Sequence, residues 1–194
     1  MRPTYLPSPE LERVRLSTRR SAVSQWYRVH PKDKDAIYYG RSPNNRFSPL
    51  DVGVLYAGAD VETVLFEVFG DEMFGDEHRI RSYRWFHYGL SRLTVRSARL
   101  CNLGSQKVRA QLNVDLGSLL GPDVTVARKW AAAIHSHPSK PDGIIYRSRM
   151  TAKSCLALFE RVGAERSVEA ELIGSLSELE EASEFLDKFD CKLV

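Results

Sequence analysis

Apolar positions along the chain fall into short runs separated by polar, turn-forming segments. The first 25 residues are rich in Pro, Ser and Arg and read as an arm or a short helix over Ser8–Leu16, whose removal should leave most of the core. Trp26–His30 has the aromatic and β-branched composition of a strand. Pro31–Ser48 is polar, and Gly40, Pro43 and the pair Asn44-Asn45 mark it as a long loop, a kind of segment that usually carries function in a compact domain. Val54–Ala57 predicts a short buried strand. Asp60 then stands as an N-cap before Val61, Val64, Leu65, Val68 and Phe69, which recur at helical spacing. At about 100° per residue from Val61 the apolar stripe centres near zero, and Glu67 falls at about 240°, on its edge beside Val64. A carboxylate there can follow a cleft margin without crossing the core. Phe66 falls on the opposite side, which predicts a helix covered on more than one face.

Downstream, Leu93–Val95 and Ala98–Leu100 predict strands, and Ser105–Leu112 and Val124–Ile134 predict helices. Asp142-Gly143 marks a turn into the strand Ile144–Tyr146. Cys155–Phe159 and Val168–Ile173 add further β segments, and Glu178–Phe189 predicts a final acidic amphipathic helix. The order is mixed α and β, without the regular alternation of a doubly wound sheet. A chain of 194 residues fits one domain, taken as residues 26–194 behind an arm at 1–25.

Composition narrows the function classes. An apolar fraction of 43% and a charged fraction of 27% are those of an ordinary globular protein. No apolar run approaches the roughly 20 residues that span a bilayer, and the N-terminus lacks a secretory core, so a cytoplasmic protein with no membrane partner is expected. A net charge of +3 is too modest to argue for direct nucleic-acid binding. The arginine groups at Arg13–Arg20 and Arg79–Arg84 read as solvated faces or contacts to an acidic partner. Cys101, Cys155 and Cys191 are odd in number and far apart, which supports neither a disulfide framework nor a metal knuckle. His135 and His137 flank Ser136 but lack a convincing third ligand, so no metal is expected. Walker and dinucleotide fingerprints are missing, and Ser148 has no Gly-x-Ser-x-Gly elbow.

The chemistry concentrates in three residues. Arg46, Tyr56 and Glu67 lie ten and eleven positions apart across a loop, a strand and a helix. An arginine for phosphate, a tyrosine face for stacking and a glutamate for a sugar hydroxyl or a developing cation together suit a charged nucleotide. Each has an ordinary alternative. Arg46 is as plausible a surface arginine, with Arg41 as its rival for phosphate, and Tyr56 taken alone is more often a core tyrosine with a tethered hydroxyl than a stacking platform. Glu67, beside Phe66 and Val68, is costly to bury unpaired, and a salt bridge to Arg46 would satisfy it.

With these residues in place the sequence resembles the RES domain family, which includes toxins of bacterial toxin–antitoxin pairs. The resemblance runs from about Trp26 to Ile173. It is carried by Tyr27-Arg28-Val29, the Arg46 loop, Val54-Leu55-Tyr56-Ala57, Glu62–Glu67, Asp142–Arg149 and Cys155–Phe159. In the family the arginine is commonly followed by Trp-Asn and a Pro/Gly turn. Here it is followed by Phe47-Ser48-Pro49-Leu50-Asp51, which keeps an aromatic but loses the Asn and Gly. The resemblance implies a compact α/β (α+β) domain similar to the catalytic core of ADP-ribosyltransferases, and a toxin that degrades NAD at the nicotinamide–ribose bond with phosphate or water as acceptor. It needs no cofactor, since NAD is the substrate and inorganic phosphate a possible co-substrate. Arg46 would hold phosphate or the nicotinamide-side ribose, Tyr56 would stack on nicotinamide, and Glu67 would bond the ribose hydroxyls and stabilise the cation. Ser148 would complete the pocket, and Arg28 is a further phosphate-binding candidate; Arg147 is an alternative anion ligand. The implied partner is a helix-turn-helix antitoxin that covers the active site, and a homodimer is the default assembly.

Two other functions share the same residues. Transfer of ADP-ribose to a protein or nucleotide would use the same Arg, Tyr and Glu, although Leu65, two positions before Glu67, leaves out the second acid that transfer onto arginine uses. A non-enzymatic NAD-binding module would keep the pocket alone.

Overall fold

A computed structural model describes residues 6–20, 23–75, 78–161 and 167–194. Eight strands form one sheet in the order β1-β6-β7-β8-β3-β2-β5-β9: β1 is Thr18–Arg20, β2 Val23–Pro31, β3 Val54–Gly58, β5 Tyr88–Arg96, β6 Arg99–Asn102, β7 Gly143–Arg147, β8 Ser154–Phe159 and β9 Val168–Ser175. Every pairing is antiparallel except β6 with β7. A two-stranded parallel pair joins β4, Arg79–Ile80, to β10, Lys192–Leu193. The mixed α/β class expected from the sequence is the class observed.

Alternation along the central strands divides their side chains between two faces. Val54 and Tyr56 of β3, Cys155, Ala157 and Phe159 of β8, and Ile144 and Tyr146 of β7 join one apolar cluster. Leu55, Ala57, Leu156 and Leu158 join another, with Tyr39 of the long loop packed on them. The first face is covered by α5, Val124–Ser136, which buries Ala127, Trp130, Ala131 and Ile134 and is capped by Asp123 accepting from the Thr125 amide at 2.8 Å. A third cluster lies between α1, Val61–Gly75, and the outer strands β2 and β5. Asp60 caps α1 as expected, its Oδ1 accepting from the Thr63 amide at 2.8 Å.

α1 is covered on a second side, as the position of Phe66 requires. The Phe66 ring meets Phe185 and Phe189 edge-on, at 5.0 and 4.8 Å between centroids. Phe185 belongs to α6, Glu180–Lys188, so the acidic C-terminal helix is packed onto the core and does not stand apart from it.

Two sequence expectations are corrected, and two short helices are added. Ser8–Leu16 is not a helix, since only Leu11–Arg13 forms a 3-10 turn. The segment before Trp26 is woven into the fold: Leu11 and Leu16 are buried, β1 pairs with β6, and the Val14 carbonyl accepts from His137. Two helices were unanticipated, α2 at Ser82–His87 and α4 at Leu116–Leu120. The helix α3, Gln106–Leu112, is where it was expected.

The sheet is not continuous in its pairing. β2 and β5 pair along nine residues, but β2 meets β3 at a single position, Tyr27 against Gly58. Beyond it the two strands diverge, and the long loop between them runs from Lys32 to Gly53 with one isolated bridge, Gly40 to Val54. That opening is where the cleft forms.

Candidate active site

A cleft of about 480 Å³ opens where β2 and β3 part, walled by α1 on one side and by the α4–α5 connection on the other. Four of the sequence-predicted residues line it, Arg28 from β2, Arg46 from the loop, Tyr56 from β3 and Glu67 from α1. Its volume lies in the range of small-molecule sites.

Glu67 is exposed to the cleft while its carboxylate is tied from behind. Ser148, only 2% exposed, donates its hydroxyl to Glu67 Oε1 at 2.7 Å and accepts from the amides of Met150 and Thr151 at 3.1 and 3.3 Å. The amides orient the serine, and the serine orients the carboxylate. Ser148 therefore stands behind Glu67 and not in the lining of the cleft. Tyr146, two residues earlier on β7, directs its hydroxyl to Glu67 Oε2 at 3.4 Å. The salt bridge to Arg46 considered from the sequence does not form; serine and tyrosine are the partners of Glu67.

Arg46 is held at one end. Its Nη1 donates to the main-chain carbonyls of Leu119 and Gly121, at 3.1 and 2.6 Å, at the C-terminal end of α4. This is a favourable place for a cation, because the last carbonyls of a helix lack intrahelical partners. The contact fixes the wall formed by Leu120, Pro122 and Val124. Burial, and then the neighbouring Arg149, lower the pKa of Arg46. Its rival Arg41 pairs with Glu160 and takes no part in the cleft.

Tyr56 is half-buried and its hydroxyl is tethered: it accepts from the Phe47 amide at 3.0 Å and shares a hydrogen bond with Ser48 at 3.0 Å. Phe47 and Ser48, the residues that depart from the family pattern, thus bind the arginine loop to β3. Burial raises the Tyr56 pKa to about 12, so the phenol stays protonated. Tyr56 lies opposite Ala157 and Tyr146 opposite Cys155 on the intervening strand β8. These small residues let the two tyrosine rings meet across it, edge-on at 6.5 Å.

Arg28 contributes a deep positive charge. Its Nη1 is buried with no hydrogen-bond partner among the described residues, and burial, partly offset by Tyr39 and Asp35, lowers its pKa to about 10. A buried donor left unsatisfied is costly, and a ligand anion would relieve it. Arg147 lines the cleft but donates to the Ala152 carbonyl at 3.2 Å, and Arg149 pairs with Asp71 at 3.3 Å beside it.

Sequence reasoning placed Tyr146 in a buried strand and gave it no part in the site. Its signal was its position two residues before Ser148, which follows the end of β7; both meet the carboxylate of Glu67. His137, half of the imidazole pair, is committed to structure: its ring nitrogens meet Ser139 Oγ at 2.8 Å and the Val14 carbonyl at 3.0 Å. Among the described residues no group of His, Cys, Asp and Glu is arranged to hold a metal, and no helix is long and apolar enough to cross a membrane.

Residues 25–177 match the RES domain family model. A stretch of 70 residues, 36% of the chain, is 34% identical to a probable toxin, y4kH, of Sinorhizobium fredii, and spans about half, 54%, of that protein. The fold is similar to one in the crystal structure of the M. tuberculosis MbcT–MbcA toxin–antitoxin complex. The TM-score is 0.62 over 88% of this chain and 90% of the matched one, at 14% identity, a likeness of fold alone.

Proposed function

The chain belongs to the RES domain family, and from that premise we propose that it is the toxin of a toxin–antitoxin pair and acts by cleaving the nicotinamide–ribose bond of NAD, with phosphate or water as acceptor. The observation that carries this reading is the Glu67 carboxylate, exposed in a cleft that also holds Arg28, Arg46 and the face of Tyr56, and oriented from behind by Ser148. The local similarity to a probable toxin supports the toxin role.

Nicotinamide bound to ribose is already a cationic leaving group, so the protein need not protonate it. What the reaction needs is stabilisation of an oxocarbenium-like state and placement of an acceptor. Glu67 supplies the negative charge, beside the ribose and within reach of its hydroxyls. Arg28, with an unsatisfied buried donor, and Arg46, anchored through Nη1 alone, bind the diphosphate; either leaves a place for an inorganic phosphate acceptor. Tyr56 offers its ring to nicotinamide with its hydroxyl fixed to the loop. An antitoxin of the helix-turn-helix class restrains the enzyme by covering this cleft, and the toxin works in the cytoplasm, where NAD is at hand.

Glu67→Gln separates charge from shape. It is expected to lower kcat by about 10²–10³ while leaving NAD binding within a few-fold of wild type, because the charge matters most in the transition state. Turnover of the variant within a few-fold of wild type would rule out this role for Glu67.

A further inference from the structure

Tyr146 touches three residues of the cleft, Phe47, Tyr56 and Glu67. Its ring packs 4.6 Å from that of Phe47, next to Arg46 in sequence, and meets Tyr56 edge-on. Its hydroxyl faces Oε2 of Glu67, the carboxylate oxygen that Ser148 does not hold. The ring itself is buried, at 6% exposure. His30, another buried polar side chain, is committed to structural partners: it bonds Ser91 and the Pro31 carbonyl.

Glu67 needs this second contact. The last torsion of a glutamate is broad, so a carboxylate held at one oxygen swings about that bond. Ser148 secures Oε1 at 2.7 Å, and what faces Oε2 decides the plane of the group. Tyr146 is 3.4 Å from Oε2, long for an O–H···O bond. Bonds to catalytic groups are often long in the empty site and tighten when substrate is bound. Burial first, and then the charge of Glu67, raise the phenol's pKa well above its ordinary value, so Tyr146 keeps the proton it donates.

Resting on the reading of the cleft as an NAD-cleaving site, we propose that Tyr146 is a positioning residue for that reaction: its hydroxyl, with Ser148, fixes the plane of the Glu67 carboxylate against the ribose. It acts through Glu67, although its ring also forms part of the cleft lining. The same ring, by packing on Phe47 and Tyr56, supports the arginine loop, and the two duties are separable by substitution.

Tyr146→Phe keeps the ring and removes the hydroxyl. The expected result is a fall in kcat of about tenfold, with KM for NAD within about twofold of wild type and the melting temperature nearly unchanged. Tyr146→Ala removes the ring as well and is expected to raise KM and lower the melting temperature. In a crystal structure of Tyr146→Phe the Glu67 carboxylate should keep its bond to Ser148 while Oε2 turns from its wild-type direction. An unchanged kcat in Tyr146→Phe, or a loss confined to KM, would overturn the proposal. Failure of the wild-type protein to release nicotinamide would count against the functional reading instead, and Tyr146 would then stand or fall by the crystal structures. A carboxylate plane that is the same in both proteins would overturn it there.

Discussion

Arg46 carries two loads with one side chain. Nη1 is spent on the Leu119 and Gly121 carbonyls, and in the proposed function the other guanidinium nitrogens serve the ligand. A lysine offers one compact ammonium and cannot brace the α4 end and bind an anion in the same geometry. Arg46→Lys, which preserves the charge, is therefore expected to lose at least about tenfold in kcat/KM for NAD. A kcat/KM equal to wild type would mean that charge alone matters at this position. That Arg46, Tyr56 and Glu67 share one cleft was legible in the sequence because they stand at defined spacing among residues of contrasting character. Tyr146 was not, because a tyrosine inside an apolar strand looks like core until the strand beside it is known to carry Cys155 and Ala157, small enough to let its ring through to Tyr56. The anchoring of Arg46 was equally hidden, since its partners are main-chain carbonyls more than seventy residues away.

Elements were legible in proportion to their apolar periodicity. β3, β7 and β8, whose residues are almost all apolar, lie where the sequence put them, and α1 and α5 begin at the caps that Asp60 and Asp123 supply. α2 and α4, of six and five residues, are too short to show a helical period, and β1, Thr18-Arg19-Arg20, is a polar edge strand with no alternation to read. α6 is the acidic amphipathic helix expected from the sequence, and its apolar side decides its place: Phe185 is 3% exposed and packs on Phe66. Phe185→Ala is expected to destabilise the fold by roughly 3–5 kcal/mol, the usual cost of emptying a buried phenylalanine site. Urea denaturation measures this directly, and a loss below about 1 kcal/mol would show that α6 is an appendage and not a part of the core.

For the molecule as a whole, the cleft follows from the topology. One sheet is assembled from two well-paired blocks, β2-β5-β9 and β3-β8-β7-β6-β1, that meet at one residue pair; α1 and the α4–α5 connection close the gap from either side. Residues distant in sequence reach one space because the gap draws on both blocks. The central claim is that this space cleaves NAD. Its most direct test is to incubate the purified chain with NAD, with and without inorganic phosphate, and to follow nicotinamide and the ADP-ribose product by chromatography. The account predicts release of nicotinamide, with the product shifting to a phosphorylated ADP-ribose if phosphate is the acceptor and remaining ADP-ribose if water is. A folded, partner-free protein that releases no nicotinamide under either condition would contradict it.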